Sequence, residues 1–353
     1  MAFLKLHSTK LIVFIASWGC VACDQGSSAS PPASEDAWGQ PTTHPAQLFF
    51  ASDCSPKVRD GVQLGLAKAA ALWGQYGPLE YWVMGTDEEA GQALIRSFCD
   101  RRAELKNKVW GGCMSHHQEE ASQHNMLSYL RIGQEAIKRN QPSSAMGRNG
   151  QREWGLHIFA SSYPFGFDRL FDQVYPEEEI KTLFHEYFHA VQHAHLFTKE
   201  HAQREALLGP TWFVEGGAEY MALKGTATLW ASGQLPRTQG YALPSFKERM
   251  RSILLDGKRY WQENCPDLHL SQMTYDHPCT HAAYSLGAWG HAWLAHRAGP
   301  DPYLDLFLPS VERLGWDSAF QHAFGLTPEA FDEAFHAFLL KETEEQLAIL
   351  PDI

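Results

Sequence analysis

Apolar positions along this chain recur mostly with a helical period, and only two short stretches read as strand. Ser55-Pro56 offers an N-cap followed by proline in the first turn, and Val58, Val62, Leu66, Ala69 and Leu72 then line one face of a helix over 57–73. Gly74 and Gly77-Pro78 stop it. Leu79–Met84 reads as a strand bounded by Gly85, and Asp87 caps a second helix to about Asp100 with Leu94, Ile95 and Phe98 as its stripe. A helix near Leu127–Lys138 and a Gly/Asn-rich loop around Gly147–Gly150 follow. Trp154–Ala160 is the second strand, readable as a core strand or as a sheet edge open to an extended peptide. Pro176 followed by Glu177, Glu178 and Glu179 begins a helix running to about Leu196, with acids at the positive end of its dipole. Past Leu223 the pattern turns irregular as far as Leu243, with Gly, Pro and Ser recurring. Helical periodicity returns over Ala282–Ala298, Asp301–Leu314 and Trp316–Phe324, and Thr327-Pro328 opens a last helix to about Glu345; Gly299, Gly315 and Gly325 mark the breaks.

The first 46 residues follow other rules. Lys5 and Lys10 precede an apolar run from Leu11 to Ala16, too short to span a bilayer, that leads into small residues ending at Cys23. This reads as an export signal, 1–23, with Cys20 and Cys23 where a bacterial lipoprotein carries its lipidated cysteine. Val21-Ala22 suits Cys23 better than Trp18-Gly19 suits Cys20, and both lack the usual Leu three residues upstream, so secretion without a lipid is the other reading. Residues 24–46, rich in Ser, Pro, Ala and Gly, read as a flexible tether. An exported, oxidising setting makes Cys99 with Cys113, and Cys265 with Cys279, candidate disulfides. Cys54 is left over or pairs with one of them, because sequence does not fix connectivity.

The 353 residues, 44% hydrophobic and 20% charged, are enough for two or three cooperating lobes. A net charge of −12 with no basic stripe excludes a nucleic-acid backbone as partner. With 18 histidines, isolated His motifs carry little weight. One stretch carries more: His185-Glu186-Tyr187-Phe188-His189 spells HExxH within a predicted helix. Residues four apart on a helix lie about 40° apart on one face, so both imidazoles can reach one metal ion, while Glu186 lies about 100° round from His185, where a general base belongs.

A catalytic zinc needs a third protein ligand and an open position. Trp212-Phe213-Val214-Glu215-Gly216-Gly217-Ala218-Glu219-Tyr220 places Glu215 26 residues past His189. Together with the HExxH motif, this segment resembles the gluzincin metallopeptidases, whose second helix carries the ligand Glu in a pattern like W-x-x-E-G-x-A-x-Y. The resemblance implies a single Zn²⁺ held by His185, His189 and Glu215, with Glu186 as general base. It gives Glu219, on the same face as Glu215, the task of hydrogen-bonding the outer nitrogen of His185; a solvated surface Glu is the alternative. Tyr284-Ser285-Leu286-Gly287 is similar to the Y-x-x-G segment of the aminopeptidase-like gluzincins, which makes Tyr284 an oxyanion donor, or else a core tyrosine. The resemblance covers about 155–340. It implies a zincin-like catalytic domain over 151–300 with a small upstream sheet and a helical C-terminal portion over 301–353; with the small α/β N-terminal lobe that the helix–strand–helix run suggests over 47–150, outside the resemblance, the expected fold is α+β. No feature for binding a substrate amino terminus is present, so aminopeptidase activity does not carry over.

The expectation is an exported zinc metallopeptidase acting on peptides or proteins, monomeric, meeting the membrane only through its N-terminal lipid. A peptidase-like scaffold that holds zinc without turnover, or an envelope binding protein, is the alternative. His193 and His195 read as packing or surface residues. Cys265, His269, His277, Cys279 and His281 could form a structural zinc site, against which the Cys265–Cys279 disulfide is set; His281 could also face the active site. His116, His117 and His124 have no assigned place.

Overall fold

The computed structural model describes residues 38–105, 108–119, 125–151 and 155–353. The segment expected to be an export signal, with Cys20 and Cys23, most of the expected tether, and His124 lie outside them. The described chain forms two compact units.

The first unit, drawn from 46–60 and 79–174, is built on a four-stranded sheet. Its elements are β1 (Gln47–Phe50), the start of α1 (Pro56–Trp73), β2 (Leu79–Val83), α2 (Glu88–Glu104), α3 (Trp110–His117), α4 (Met126–Arg139), β3 (Met146–Gln151) and β4 (Leu156–Ser161). Strand order is β1-β2-β4-β3, parallel except for the antiparallel β3–β4 pair. β2 and β4 are buried along their whole length, as strands inside a parallel sheet are. β4 is therefore paired on both sides and is not an edge for an incoming peptide; β1 and β3 are the edges. The Gly/Asn-rich segment expected to loop is β3. Inside the sheet, Glu80 is buried with Arg102, and the charges meet in a salt bridge joined by Arg101 at 2.6 Å and by the Trp82 indole at 3.1 Å. Cys99 and Cys113 tie α2 to α3 through a disulfide. Cys54 stays a free, buried thiol.

The second unit comprises the described residues of 34–45 together with 61–78 and 175–353, and is helical. After the rest of α1 come α5 (Pro176–Ala194), α6 (His201–Leu208), α7 (Thr211–Ala231), α8 (Phe246–Asn264), a 3₁₀ turn (Leu270–Gln272), α9 (Thr280–Ala298) and a π turn (Tyr303–Phe307). α10 (Leu308–Leu314), α11 (Trp316–Phe324), α12 (Pro328–Leu339) and α13 (Thr343–Leu347) complete it. α7 and α9 form its centre and are buried on nearly every side, as helices inside a core must be. They approach closely because Gly216 and Gly287 face each other: a Cβ on Gly216 would lie 2.2 Å from the Gly287 carbonyl carbon, and one on Gly287 would lie 2.3 Å from the Trp212 oxygen. α7 runs eight residues beyond Leu223, where the irregular stretch was expected to begin. α8 was not anticipated at all, although Ser245 and Glu248 form a reciprocal capping box at its start.

One sequence expectation changes here, the extent of the tether, and the expected Cys265–Cys279 pairing is found. Residues 38–45 belong to this unit rather than to a loose tether: Trp38 is buried and its indole donates to the Leu196 carbonyl at 3.0 Å, while Pro41 bridges to Tyr76. Cys265 and Cys279 form a disulfide, so they are not available as metal ligands. Two disulfides in the structure point toward an oxidising setting of the kind exported proteins meet. No described helix is long and apolar enough to cross a membrane.

Candidate metal centre

α5 starts with proline in its first turn, and Glu177 accepts from the Thr238 backbone at 2.8 Å, which pins the helix start to the following loop. From Leu183 to Ala194 every residue is buried, so the HExxH turn lies inside the second unit. α7 and α9 supply the remaining groups.

The imidazole Nε2 atoms of His185 and His189 lie 3.3 and 3.2 Å from Oε2 of Glu215. The three donor atoms fall within 4.8 Å of one another, and all three residues are buried. The other nitrogen of each ring is engaged. His185 Nδ1 faces Glu219 Oε2 at 3.1 Å, and Glu219 is held in turn by Lys181. His189 Nδ1 faces Gln192 Oε1 at 2.7 Å; the Gln192 amide donates to the Val214 carbonyl and the Tyr303 hydroxyl, so its oxygen is left to accept. With Nδ1 of both rings committed to an acceptor, Nε2 is the nitrogen each ring can offer to a cation in place of a proton. The cluster can bind a metal ion.

Electrostatics agree with that donor set. Burial alone would lower the His185 pKa, but Glu215 and Glu219 outweigh it and lift it to about 9. Burial would raise Glu215, yet the two imidazoles hold it well below the usual carboxylate range. Glu219 is also lowered, against its burial, by Lys181 and His185. With no cation present the cluster thus draws in positive charge in the form of protons.

Glu186 is buried beside the pair, close enough for its charge to act on His185 and on Tyr284. The Tyr284 ring lies parallel to that of His185, with centroids 6.2 Å apart. Burial, followed by Glu215, pushes its hydroxyl pKa well up, so it keeps its proton and can donate. All six predicted residues, His185, Glu186, His189, Glu215, Glu219 and Tyr284, thus gather at one place, and Glu219 contacts His185 as the resemblance implied.

Others do not join them. His281 is exposed against Tyr260, His269 pairs with Asp332 at 3.0 Å, and the His277 ring accepts from the Cys279 backbone. His195 faces the Val191 carbonyl of its own helix. His117, with His116 against it, is packed in the first unit. Three contributors escaped the sequence reading, the first being Lys181 behind Glu219. Gln192, three residues past His189 on the same helix face, could have been found from that spacing. Tyr275, whose hydroxyl donates to Glu215 Oε1 at 2.5 Å, comes from an irregular stretch that carries no pattern.

No protein-family profile, curated protein or solved structure matches this chain.

Proposed function

We propose that the protein is a zinc-dependent hydrolase of peptide bonds, of the gluzincin kind, in which His185, His189 and Glu215 hold the ion. One observation carries this reading. Two Nε2 lone pairs and a buried carboxylate oxygen converge, each imidazole oriented by an acceptor behind it, with a second carboxylate from Glu186 alongside. Two imidazoles and one carboxylate form the donor set of a catalytic rather than a structural zinc site. When bound, the ion supplies Lewis acidity, bringing the pKa of water near 7 and polarising a carbonyl.

The remaining work falls to the chain. Glu186 takes the proton of the attacking water and delivers it to the leaving amine. Tyr284 keeps its proton and donates to the oxygen that becomes negative as the carbonyl is attacked. Glu219, backed by Lys181, keeps His185 from turning. The disulfides favour an exported protein, with Cys23, or Cys20, as its lipid attachment point.

The test is metal content together with cleavage of an unstructured protein. One equivalent of zinc and cleavage that Glu186→Gln reduces by at least 10²-fold, with zinc retained, are expected. Bound zinc with cleavage indifferent to Glu186→Gln points to a metal-holding scaffold instead. A chain prepared without chelator that takes up no zinc on titration removes the metal reading.

A further inference from the structure

Glu215 is fully buried, and its two oxygens have different partners. Oε2 faces both histidines and Oε1 receives the Tyr275 hydroxyl at 2.5 Å, while the Tyr284 hydroxyl also reaches this carboxylate. The distinction matters chemically, because a carboxylate beside a cation can bind through one oxygen or chelate through both. A catalytic zinc site holds three protein ligands and a water and keeps room for a fifth donor from the substrate in the transition state, and chelation by Glu215 would take that room.

Tyr275 is 40% exposed, yet its hydroxyl reaches a residue with no exposure at all. The side chain therefore spans from solvent to the ligand, carried by a stretch of backbone that is itself tied down. The stretch from 265 to 279 is closed on itself by the Cys265–Cys279 disulfide. At its far end the Thr280 hydroxyl lies within hydrogen-bond reach of the Thr274, Tyr275 and His277 carbonyls, at 2.8, 2.9 and 2.6 Å. On the near side Leu270 and Met273 are buried, and Asp332 accepts from the Ser271 hydroxyl at 3.0 Å.

Building on the metal reading above, we propose that Tyr275 is a positioning residue that keeps Glu215 a one-oxygen ligand, and that the Cys265–Cys279 disulfide holds Tyr275 in place to do so. Loss of the hydroxyl releases Oε1 toward the ion. The ion is then held as well or better, but with five donors it has no room left for the substrate oxygen.

Cobalt(II), loaded alone into the full chain in place of zinc, reads the coordination directly, since its visible absorption weakens severalfold on passing from four to five ligands. Tyr275→Phe is expected to take up one cobalt with undiminished affinity, show the weaker spectrum, and lose turnover through kcat with KM little changed. Reduction of the disulfide in the unmutated protein, or Cys265→Ser with Cys279→Ser, is expected to shift the spectrum the same way. It also serves as the second route should the tyrosine variant fail to fold. A fully loaded Tyr275→Phe protein with an unaltered spectrum overturns the proposal. So does a variant that loses cobalt, which would make Tyr275 a mere support for Glu215. A spectrum indifferent to reduction overturns the role of the disulfide. An unmutated chain that takes up no cobalt overturns the metal reading and this inference with it.

Discussion

Each imidazole of the His185–His189 pair has one nitrogen committed to a protein acceptor, and the two acceptors differ in kind. Gln192 is a neutral amide locked by two further hydrogen bonds, whereas Glu219 is a carboxylate balanced by Lys181. An oriented ring loses less freedom on binding an ion, and the partner behind it raises its basicity. Glu219→Ala is therefore expected to weaken zinc binding by about 10- to 100-fold, measured by competition with a chelating dye, while Glu219→Gln, which keeps an acceptor oxygen, loses less. At this scale the sequence was informative wherever chemistry imposes a spacing. His185, Glu186 and His189 declare themselves by helical geometry, and Glu215 by its glycine-flanked helix. Tyr275 had no such signal: it lies 60 residues from Glu215 in sequence and meets it only because an irregular stretch is folded back.

Between elements, the decisive contact is the crossing of α7 and α9 at Gly216 and Gly287. It sets Glu215 and Tyr284, one on each helix and each adjacent in sequence or one turn from its glycine, on a common site. Gly287→Ala would place a methyl 2.3 Å from a backbone oxygen that cannot swing away. The helices must part, at a cost of about 1–3 kcal/mol or more. The expected result is a lower denaturant midpoint with zinc still bound and turnover reduced; an unchanged midpoint would contradict the packing described. The Y-x-x-G pattern gains a physical reason here, since its glycine is the crossing point. Periodicity found most helices, but α7 was read as ending near Leu223 because Gly225, Thr226 and Thr228 look like breakers. Tertiary packing overrides them. Gly225 fits against Leu72, Trp73 and Phe184, and both threonine hydroxyls bond back to carbonyls one turn earlier. β1 was missed because four residues hold too little alternation to register, and β3 because glycine and asparagine mask a strand whose pairing lies with β4.

Over the whole molecule, each unit buries a histidine in its neutral form: His117 in the first, His291 in the second. Burial lowers the His291 pKa from 6.5 to about 3, partly offset by its hydrogen bond to the Phe213 carbonyl, and it lowers His117 well below 6.5. A depressed folded-state pKa means the unfolded chain takes up the proton first. The stability these residues contribute is therefore complete above about pH 6.5 and declines as pH falls toward 3, with a slope approaching about 1.4 kcal/mol per pH unit for each. Denaturant titrations at pH 7, 6, 5 and 4 should show that decline, and His291→Gln should make it shallower; stability that stays flat from pH 7 to 5 contradicts it. The composition hinted at many histidines but not at which would be sealed inside, because burial is a property of the assembled core.

The free thiol of Cys54 has a use of its own. It is buried against the Val83 and Met84 carbonyls, and burial, with the neighbouring charge of Asp53, pushes its pKa up to about 12. In the closed state it is neither accessible nor ionised, and so inert toward alkylating reagents. Reaction at Cys54 must wait for the first unit to open, and its rate times that opening without any introduced label.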